Sequence, residues 1–237
     1  MDDLLTRIAD FNQRVKRNVV GLRASVDLFD DLSDGDARQS HVAASLEAQV
    51  KGEYSPPDQL SRAFLYATAV EYPFRTEPWH QSRYGDSTYP VWYGSLALKT
   101  TLYETGFHMA RHELGVEGAD EVVVRERAVY DVHCRALLID LAAQREPYPQ
   151  LVHSSDYSFP QVLGKRISQE GHPGLLAPSA RHEAGTNAVI FSQAVLSAPR
   201  LSCYLRYRFN PRSRELVIER SPGKVYERLM FTDYVVQ

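Results

Sequence analysis

The second half of the chain is a series of short apolar segments separated by Pro, Gly and Asn, and this spacing constrains the fold more than any other feature. Runs typical of strands occupy residues 121–130, 174–178, 187–192, 203–209 and 224–230. Strands that follow one another closely pair most readily as antiparallel neighbours, because parallel neighbours need a long crossover. The pattern predicts an α+β domain with a curved, mainly antiparallel sheet.

Helical periodicity appears in several places. Apolar residues recur at helical spacing over residues 2–22, with charged or amide residues between them, which predicts a first helix there. A strand over residues 89–94 is followed by a helix predicted at 98–113, and a third helix is predicted at 158–170. We expect the two later helices to flank the sheet.

The Pro56-Pro57 pair divides the chain, because a helix cannot continue through it. It follows a second helical stretch at residues 41–50, HVAASLEAQV. We therefore predict an N-terminal helical extension over residues 1–57 and a main domain over residues 58–237. The pattern leaves open whether the extension packs on the main domain, binds a partner or blocks a site.

Composition excludes several classes of protein. The net charge of the 237 residues is −3, so no overall basic field predicts direct nucleic-acid binding. Cys134 and Cys203 are the two cysteines and lie in no CxxC pair, which argues against a disulfide framework or a zinc knuckle. No apolar run approaches the roughly 20 residues that cross a bilayer. We expect a cytoplasmic protein that does not bind membranes.

Arg83, Tyr93 and Glu104 form a set that suits a dinucleotide. A guanidinium pairs bidentately with a diphosphate, and a tyrosine ring can stack on a nicotinamide. A carboxylate can bind a ribose hydroxyl and stabilise positive charge as nicotinamide leaves. Taken alone, the three residues equally fit a core tyrosine and two surface charges.

Ser179 and Asn187 lie at a turn between two apolar strands. Ser179 follows Pro178 and is not part of a G-x-S-x-G elbow, so a hydrolase nucleophile is not indicated. Asn187 follows Gly185 and Thr186 and is equally typical of a turn. Alone, either residue would be read as a turn residue.

Two further clusters carry less information. His108 and His112 share a helix face near Glu104 and Glu113, but no third ligand has an obvious spacing, so we expect no metal. Residues 204–214 alternate aromatics with arginines, which is typical of a half-buried strand and leaves RNA contact as an alternative.

Two segments carry a resemblance to a known family. They are RYGDSTYPVWYGSLALKTTLYE at residues 83–104 and GLLAPSARHEAGTNAVIF at residues 174–191. Together with LIDLA at 138–142 they resemble the RES domain over about residues 70–200. The resemblance implies a fold like that of the ADP-ribosyltransferase toxins. It also implies an enzyme that degrades NAD or transfers part of it.

The same resemblance implies roles for individual residues. Arg75 and Arg83 would bind the diphosphate of NAD, and Tyr93 would stack on or orient the nicotinamide end. Glu104 would stabilise the ribosyl cation, while Ser179, together with Asn187, would bind the nicotinamide amide or its ribose. NAD is then the substrate, so neither a cofactor nor a metal is required.

The resemblance also implies partners. Many RES proteins are toxins that an antitoxin with an Xre-like helix-turn-helix neutralises, and NAD depletion would cause the toxicity. The acceptor of the ribosyl group would be water, inorganic phosphate or a protein side chain.

This chain departs from the usual family pattern twice. Its N-terminal extension is longer than that of compact members, which puts the mode of partner binding in doubt. HQSR at residues 80–83 replaces a glycine-rich lead-in, which puts the shape of the phosphate loop in doubt.

Three alternatives stay open: a protein-specific ADP-ribosyltransferase, a catalytically inactive RES-like binding module and an RNA-cleaving toxin.

Overall fold

The computed structural model describes residues 2–20, 65–75, 78–118 and 120–231, and it has the predicted α+β class. Its helices are α1 (Asp2–Leu5), α2 (Tyr72–Arg75), α3 (Leu98–Leu114) and α4 (Ser158–Gln169). A π-helical turn, Ala67–Glu71, leads into α2, and 3-10 turns lie at Pro149–Val152 and Gln193–Val195. No helix in these residue ranges is long and apolar enough to cross a membrane.

The strands form one large sheet and one small hairpin. The ten strands of the described ranges are β1 (Ile8–Val20), β2 (Gln81–Ser82), β3 (Gly85–Asp86), β4 (Trp92–Ser95), β5 (Val123–Asp140), β6 (Gly174–Pro178), β7 (Thr186–Ile190), β8 (Leu196–Asn210), β9 (Glu215–Ser221) and β10 (Lys224–Met230).

The large sheet has the order β1-β4-β7-β6-β5-β8-β9-β10, and β1 also pairs with β5. The strands β1, β4, β7, β6 and β5 therefore close a ring, from which β8, β9 and β10 extend. The β5–β6 pair is parallel, and the other pairs described are antiparallel. The curved, mainly antiparallel sheet is thus confirmed.

The helix predicted over residues 2–22 is wrong. A short helix, α1, ends at Leu5, and residues from Ile8 onward form β1. This strand pairs with β5 from Ile8↔Ile139 to Val20↔Arg127. Apolar residues four apart, such as Phe11 and Val15, satisfy helical spacing but also fall on one face of a strand. The pairing with β5, distant in sequence, decided between the two.

The N-terminal segment is therefore part of the sheet rather than of a helical extension. The second predicted helix, at residues 41–50, and the boundary at residue 57 lie outside the described residues.

Both helices and the strand predicted between residues 98 and 170 are present. The helices predicted at 98–113 and 158–170 are confirmed as α3 and α4. The predicted strand at 121–130 is part of β5, which continues through the apolar segment at 137–140. Strand β9 was not predicted. Its sequence, ELVIERS, directly follows the arginine-rich residues 204–214 and carries charged residues near both ends.

Three apolar clusters hold the helices against the sheet. Val15, Trp92 and Val132 lie at the centre of the first, where Trp92 Nε1 donates to the Ala69 carbonyl at 2.8 Å. Leu102 and Phe107 of α3 pack in the second, against β8 and β9. The third lies between α4 and strands β5, β6 and β7. These contacts hold α3 against the sheet, where it also lies beside β1 and β4.

The β2–β3 hairpin is held by α4. Gly164 of α4 contacts the Tyr84 carbonyl so closely that a Cβ at position 164 would overlap it. Gln161 Nε2 donates to the Ser82 carbonyl at 2.9 Å, and Lys165 pairs with Asp86 at 2.7 Å. The Lys165 hydrogen bond, helped by Thr88, lowers the pKa of Asp86 to about 2. The turn of this hairpin carries Arg83.

A pair of identical substitutions tests the placement of β1. Val15 is fully buried in the first cluster, whereas Val20, at the end of the same strand, is 67% exposed. Val15→Ala should lower the free energy of unfolding by about 2 kcal/mol, because two buried methyl groups leave a cavity. Val20→Ala should change it by less than about 0.5 kcal/mol. Urea unfolding measures both, and equal effects would contradict the strand.

Candidate active site

One face of α3 lines a cavity of about 410 Å³. Thr101, Glu104, Thr105, His108 and Arg111 all line it. Their spacing of three and four residues places them on the same side of a helix. Opposite this face are residues of β1, β4 and β7 and the turn of the β2–β3 hairpin. The cavity has a size typical of small-molecule sites, which are about 300–1,000 Å³.

The Glu104 carboxylate is held by two side chains at one of its oxygens. Ser179 Oγ donates to Glu104 Oε1 at 2.5 Å, and Asn187 Nδ2 donates to the same atom at 2.8 Å. Asn187 Oδ1 in turn accepts from Ser95 Oγ at 2.7 Å. Elements far apart in the sequence, α3, the turn after β6 and β7, thus meet at one carboxylate oxygen, and β4 is joined to it through Asn187. Its orientation is fixed before any ligand arrives.

Ser179 lies behind this carboxylate rather than in the cavity. Its side chain is fully buried, and its hydroxyl accepts the backbone N–H groups of Arg181 at 3.2 Å and His182 at 3.0 Å. With its proton donated to Glu104, the hydroxyl has used its one donor and both acceptor positions. The sequence predicts that Ser179 binds the ligand, but its hydrogen bonds instead suit it to positioning the Glu104 carboxylate.

The turn between β6 and β7 is built around the same serine. Ser179 N donates to the Gly185 carbonyl, and Gly185 N donates to the His182 carbonyl, each at 2.8 Å. Thr100 Oγ1 of α3 lies 3.0 Å from His182 Nδ1. A Cβ at position 185 would lie 2.6 Å from Thr100 Cγ2, so glycine allows the close approach of turn and helix. The turn is therefore locked onto α3 at both ends.

Tyr93 forms a wall of the cavity and anchors the hairpin. Its hydroxyl lies 2.9 Å from Ser82 Oγ and accepts the Tyr84 N–H at 2.9 Å. Burial raises the pKa of Tyr93 to about 12, so the phenol is neutral at physiological pH. The hydroxyl is thus occupied by the hairpin, and the ring is the part that a ligand can contact.

Arg83 and Tyr157 form a second wall. Arg83 Nη1 donates to the carbonyls of His153 at 2.8 Å and Leu151 at 3.3 Å. Its guanidinium lies 4.4 Å from the centre of the Tyr157 ring, and Tyr157 OH accepts from Arg181 Nη2 at 3.3 Å. Tyr157 therefore contacts two guanidinium groups at the cavity edge, Arg83 through the face of its ring and Arg181 through its hydroxyl.

Arg17 is a cavity residue that the sequence did not reveal. It lies on β1, and its Nη1 donates to the Tyr93 carbonyl at 2.6 Å. Burial, followed by repulsion from Arg127, lowers the pKa of Arg17 to about 10, and the group remains charged at physiological pH. The helix predicted for residues 2–22 placed Arg17 in an extension. The segment ends in two β-branched residues, Val19 and Val20, which favour a strand. This was the one feature of the sequence that indicated β1.

The cavity is strongly cationic. Among the described residues that line it, Glu104 is the one carboxylate, against five cationic side chains: Lys16, Arg17, Arg83, Arg111 and Arg181. Lys16 is balanced by Asp131 at 2.5 Å, which leaves a surplus of guanidinium groups. Loss of hydration lowers the pKa of Arg181. Such a site favours an anionic ligand.

The structure does not bring Arg75 to this cavity. The residue ends α2, its side chain is 66% exposed, and it pairs with Glu71 one helical turn earlier. Arg83, Tyr93, Glu104 and Asn187 line the cavity, as expected from the sequence. Arg17 and Arg181 lie there in addition, and they supply the cations for which Arg75 was a candidate.

Of the two histidines of α3, one lines this cavity and the other does not. His108 lines the cavity, whereas His112 lies one turn further on, with Nδ1 3.5 Å from Glu113 Oε1. In the described part of the chain, no three His, Cys, Asp or Glu side chains are grouped as a metal site would require.

Removal of the Ser179 hydroxyl tests its positioning role. Ser179→Ala should lower the free energy of unfolding by about 1–3 kcal/mol, because it leaves two buried N–H groups and Glu104 without their partner. The exposed Ser155 provides the matched control, and Ser155→Ala should be neutral. Chemical unfolding measures both variants. A Ser179→Ala protein as stable as the control would contradict the role.

Comparison with known proteins gives one family. The RES domain model matches residues 60–210. No curated protein sequence matches the chain. A chain in the crystal structure of the M. tuberculosis MbcT–MbcA toxin–antitoxin complex is similar, with a TM-score of 0.45 and 12% identity over 90% of this chain and 94% of that one. Because the family model spans more than half of the sequence, this chain belongs to the RES domain family.

Proposed function

We propose that this RES protein cleaves the bond between nicotinamide and ribose in NAD. The observation that carries the proposal is a single fixed carboxylate, Glu104, in a cavity whose described lining also holds five cationic side chains and three tyrosine rings. An anionic dinucleotide whose bound nicotinamide ring is cationic needs this combination of charges.

Glu104 supplies the negative charge at the reacting carbon. Both hydrogen bonds from Ser179 and Asn187 go to Oε1, so the carboxylate is oriented through one oxygen while Oε2 takes part in neither bond. Nicotinamide leaves as a neutral molecule, and positive charge develops on the ribose. A preorganised anion beside that carbon stabilises the transition state more than the ground state.

The guanidinium groups would bind the diphosphate. Arg83, Arg17 and Arg181 all line the cavity, and the hydrogen bonds of Arg83 to backbone carbonyls hold its side chain in place. Guanidinium groups pair with phosphate oxygens through two parallel N–H bonds, which fixes both position and orientation. The loss of hydration around Arg17 and Arg181 strengthens these interactions.

Tyr93 would contact the nicotinamide end. Its hydroxyl is engaged by Ser82 and Tyr84, and the neutral ring faces the cavity with Val189 beside it. A flat apolar wall suits an aromatic leaving group. NAD is the substrate in this proposal, and no cofactor or metal is needed for the bond to break.

Membership of the RES family supports a toxin role in the cell. We propose that the protein acts in the cytoplasm by depleting NAD, and that an antitoxin with an Xre-type helix-turn-helix neutralises it. The acceptor of the ribosyl group is water or inorganic phosphate. Transfer to a protein side chain would instead make the enzyme an ADP-ribosyltransferase. The assay below distinguishes this transfer from hydrolysis and phosphorolysis.

The Glu104→Gln variant tests the chemistry. Glutamine keeps the shape and an oxygen for the two hydrogen bonds but removes the charge, so kcat for nicotinamide release should fall about 10²-fold or more. The exposed Glu117 lies beyond the end of α3, and Glu117→Gln should behave as wild type. Purified protein is incubated with NAD, with and without phosphate, and nicotinamide is quantified.

The same assay identifies the acceptor. Phosphate-dependent release indicates phosphorolysis, and release without phosphate indicates hydrolysis. Label from NAD that appears on a protein indicates transfer. Nicotinamide release by Glu104→Gln at the wild-type rate would contradict the proposal, as would unchanged cellular NAD after induced expression of the wild-type protein.

Substitution of the arginines tests diphosphate binding. Arg83→Ala should raise KM for NAD by about tenfold or more, because a charge-assisted pair with phosphate is lost. Arg212, exposed and paired with Asp120 at 3.2 Å, provides the control, and Arg212→Ala should leave KM unchanged. Arg75→Ala is the informative third variant. If Arg75→Ala has the wild-type KM for NAD, Arg75 does not bind the substrate. If its KM is raised, Arg75 binds NAD as the sequence predicts.

A further inference from the structure

A second cavity, of about 390 Å³, lies on the other side of α3 from the turn that holds Ser179. It is lined by Val20, Thr105, His108, Met109, His112, Glu113, Arg125 and Arg127. Thr105 and His108 line both cavities. The two cavities therefore share part of one wall, formed by these two residues.

His108 is placed next to the reacting group of the first cavity. It follows Glu104 by four residues on α3, so the two side chains are neighbours on one helix face. Its side chain is solvent-accessible, which allows a proton to be returned to water. Its ring makes an edge contact with Phe107, at 5.6 Å between ring centres, which limits its orientation.

The surroundings keep the imidazole neutral. Partial loss of hydration is the main cause that lowers the pKa of His108, and Arg181, Arg111 and Arg83 lower it further, against the opposing effect of Glu104. The other titratable groups that line the two cavities around it are Lys16, Arg17, Tyr84, Tyr93, Tyr157, His112, Glu113, Arg125 and Arg127. A neutral imidazole has one nitrogen that can accept a proton.

We propose that His108 is the general base that deprotonates the acceptor, which reaches the ribose through the second cavity. This inference rests on the NAD cleavage proposed above and adds a residue and a route to it. Glu104 stabilises the developing cation from one helical turn away, while His108 prepares the nucleophile.

With water as the acceptor, the step balances. The bond from ribose to the nicotinamide nitrogen breaks, and its electron pair stays on the ring nitrogen. A bond forms from the water oxygen to the same ribose carbon as a water proton passes to the His108 imidazole. The proton then leaves to solvent through the second cavity. The products are nicotinamide, ADP-ribose and one proton.

The first test is a pH profile of nicotinamide release. For the wild type, kcat should fall at pH values below the ordinary range of histidine, because a protonated imidazole cannot accept a proton. His108→Gln should lower kcat about 10²-fold at pH 8 and remove that fall, with little change in KM for NAD. His172→Gln, at the turn after α4, is the control and should keep the wild-type profile.

The second test separates a base from a structural residue. Azide is an anionic nucleophile with no proton to remove, so it should raise nicotinamide release by His108→Gln but not by Glu104→Gln. His108→Asn should respond in the same way, which guards against a folding defect of one variant. A wild-type pH profile in His108→Gln, or a loss of activity that azide leaves unchanged in both histidine variants, would overturn the assignment.

The two proposals fail in different ways. If wild-type protein releases no nicotinamide from NAD, both are overturned. If wild-type protein releases it in a Glu104-dependent manner while His108→Gln matches His172→Gln, NAD cleavage stands and the role of His108 is overturned.

Discussion

The site depends on one carboxylate oxygen, Glu104 Oε1, which accepts hydrogen bonds from Ser179 and Asn187. Ser179 is fully buried and also accepts two backbone N–H groups of its own turn. The geometry of the turn and the direction of the carboxylate are therefore set by the same hydroxyl. Because each partner would be left unsatisfied without the others, the network favours a single arrangement.

Charge is the second constraint. The described lining of the cavity gathers several guanidinium groups around Glu104, and repulsion among them works against the empty state. Arg181 shows this repulsion, since loss of hydration and then the nearby Arg83 lower its pKa. An anionic ligand relieves the repulsion, so its binding energy also stabilises the fold. Function and stability are thus coupled through the same side chains.

The sequence carried the local part of this architecture. The helix with Glu104 and the strands around Ser179 and Asn187 have clear patterns, and four of the expected site residues do line one cavity. The placement of β1 could not be predicted, because apolar residues four apart fit both a helix and a strand and the pairing partner lies more than 100 residues away. Arg17 was missed for that reason. Arg75 pairs with Glu71 and does not line the cavity, so its predicted role stays a prediction.

The closed ring of β1, β4, β7, β6 and β5 has a consequence for synthesis on the ribosome. Strand β1 lacks its main pairing partner until β5 has emerged, and Glu104 gains its first hydrogen-bonding partner with Ser179 and its second with Asn187. Contacts between such distant segments form late, since the intervening chain must first be ordered. A nascent chain that ends before residue 187 therefore lacks the complete carboxylate network. The complete site therefore becomes available in the cell only after β7 has been translated.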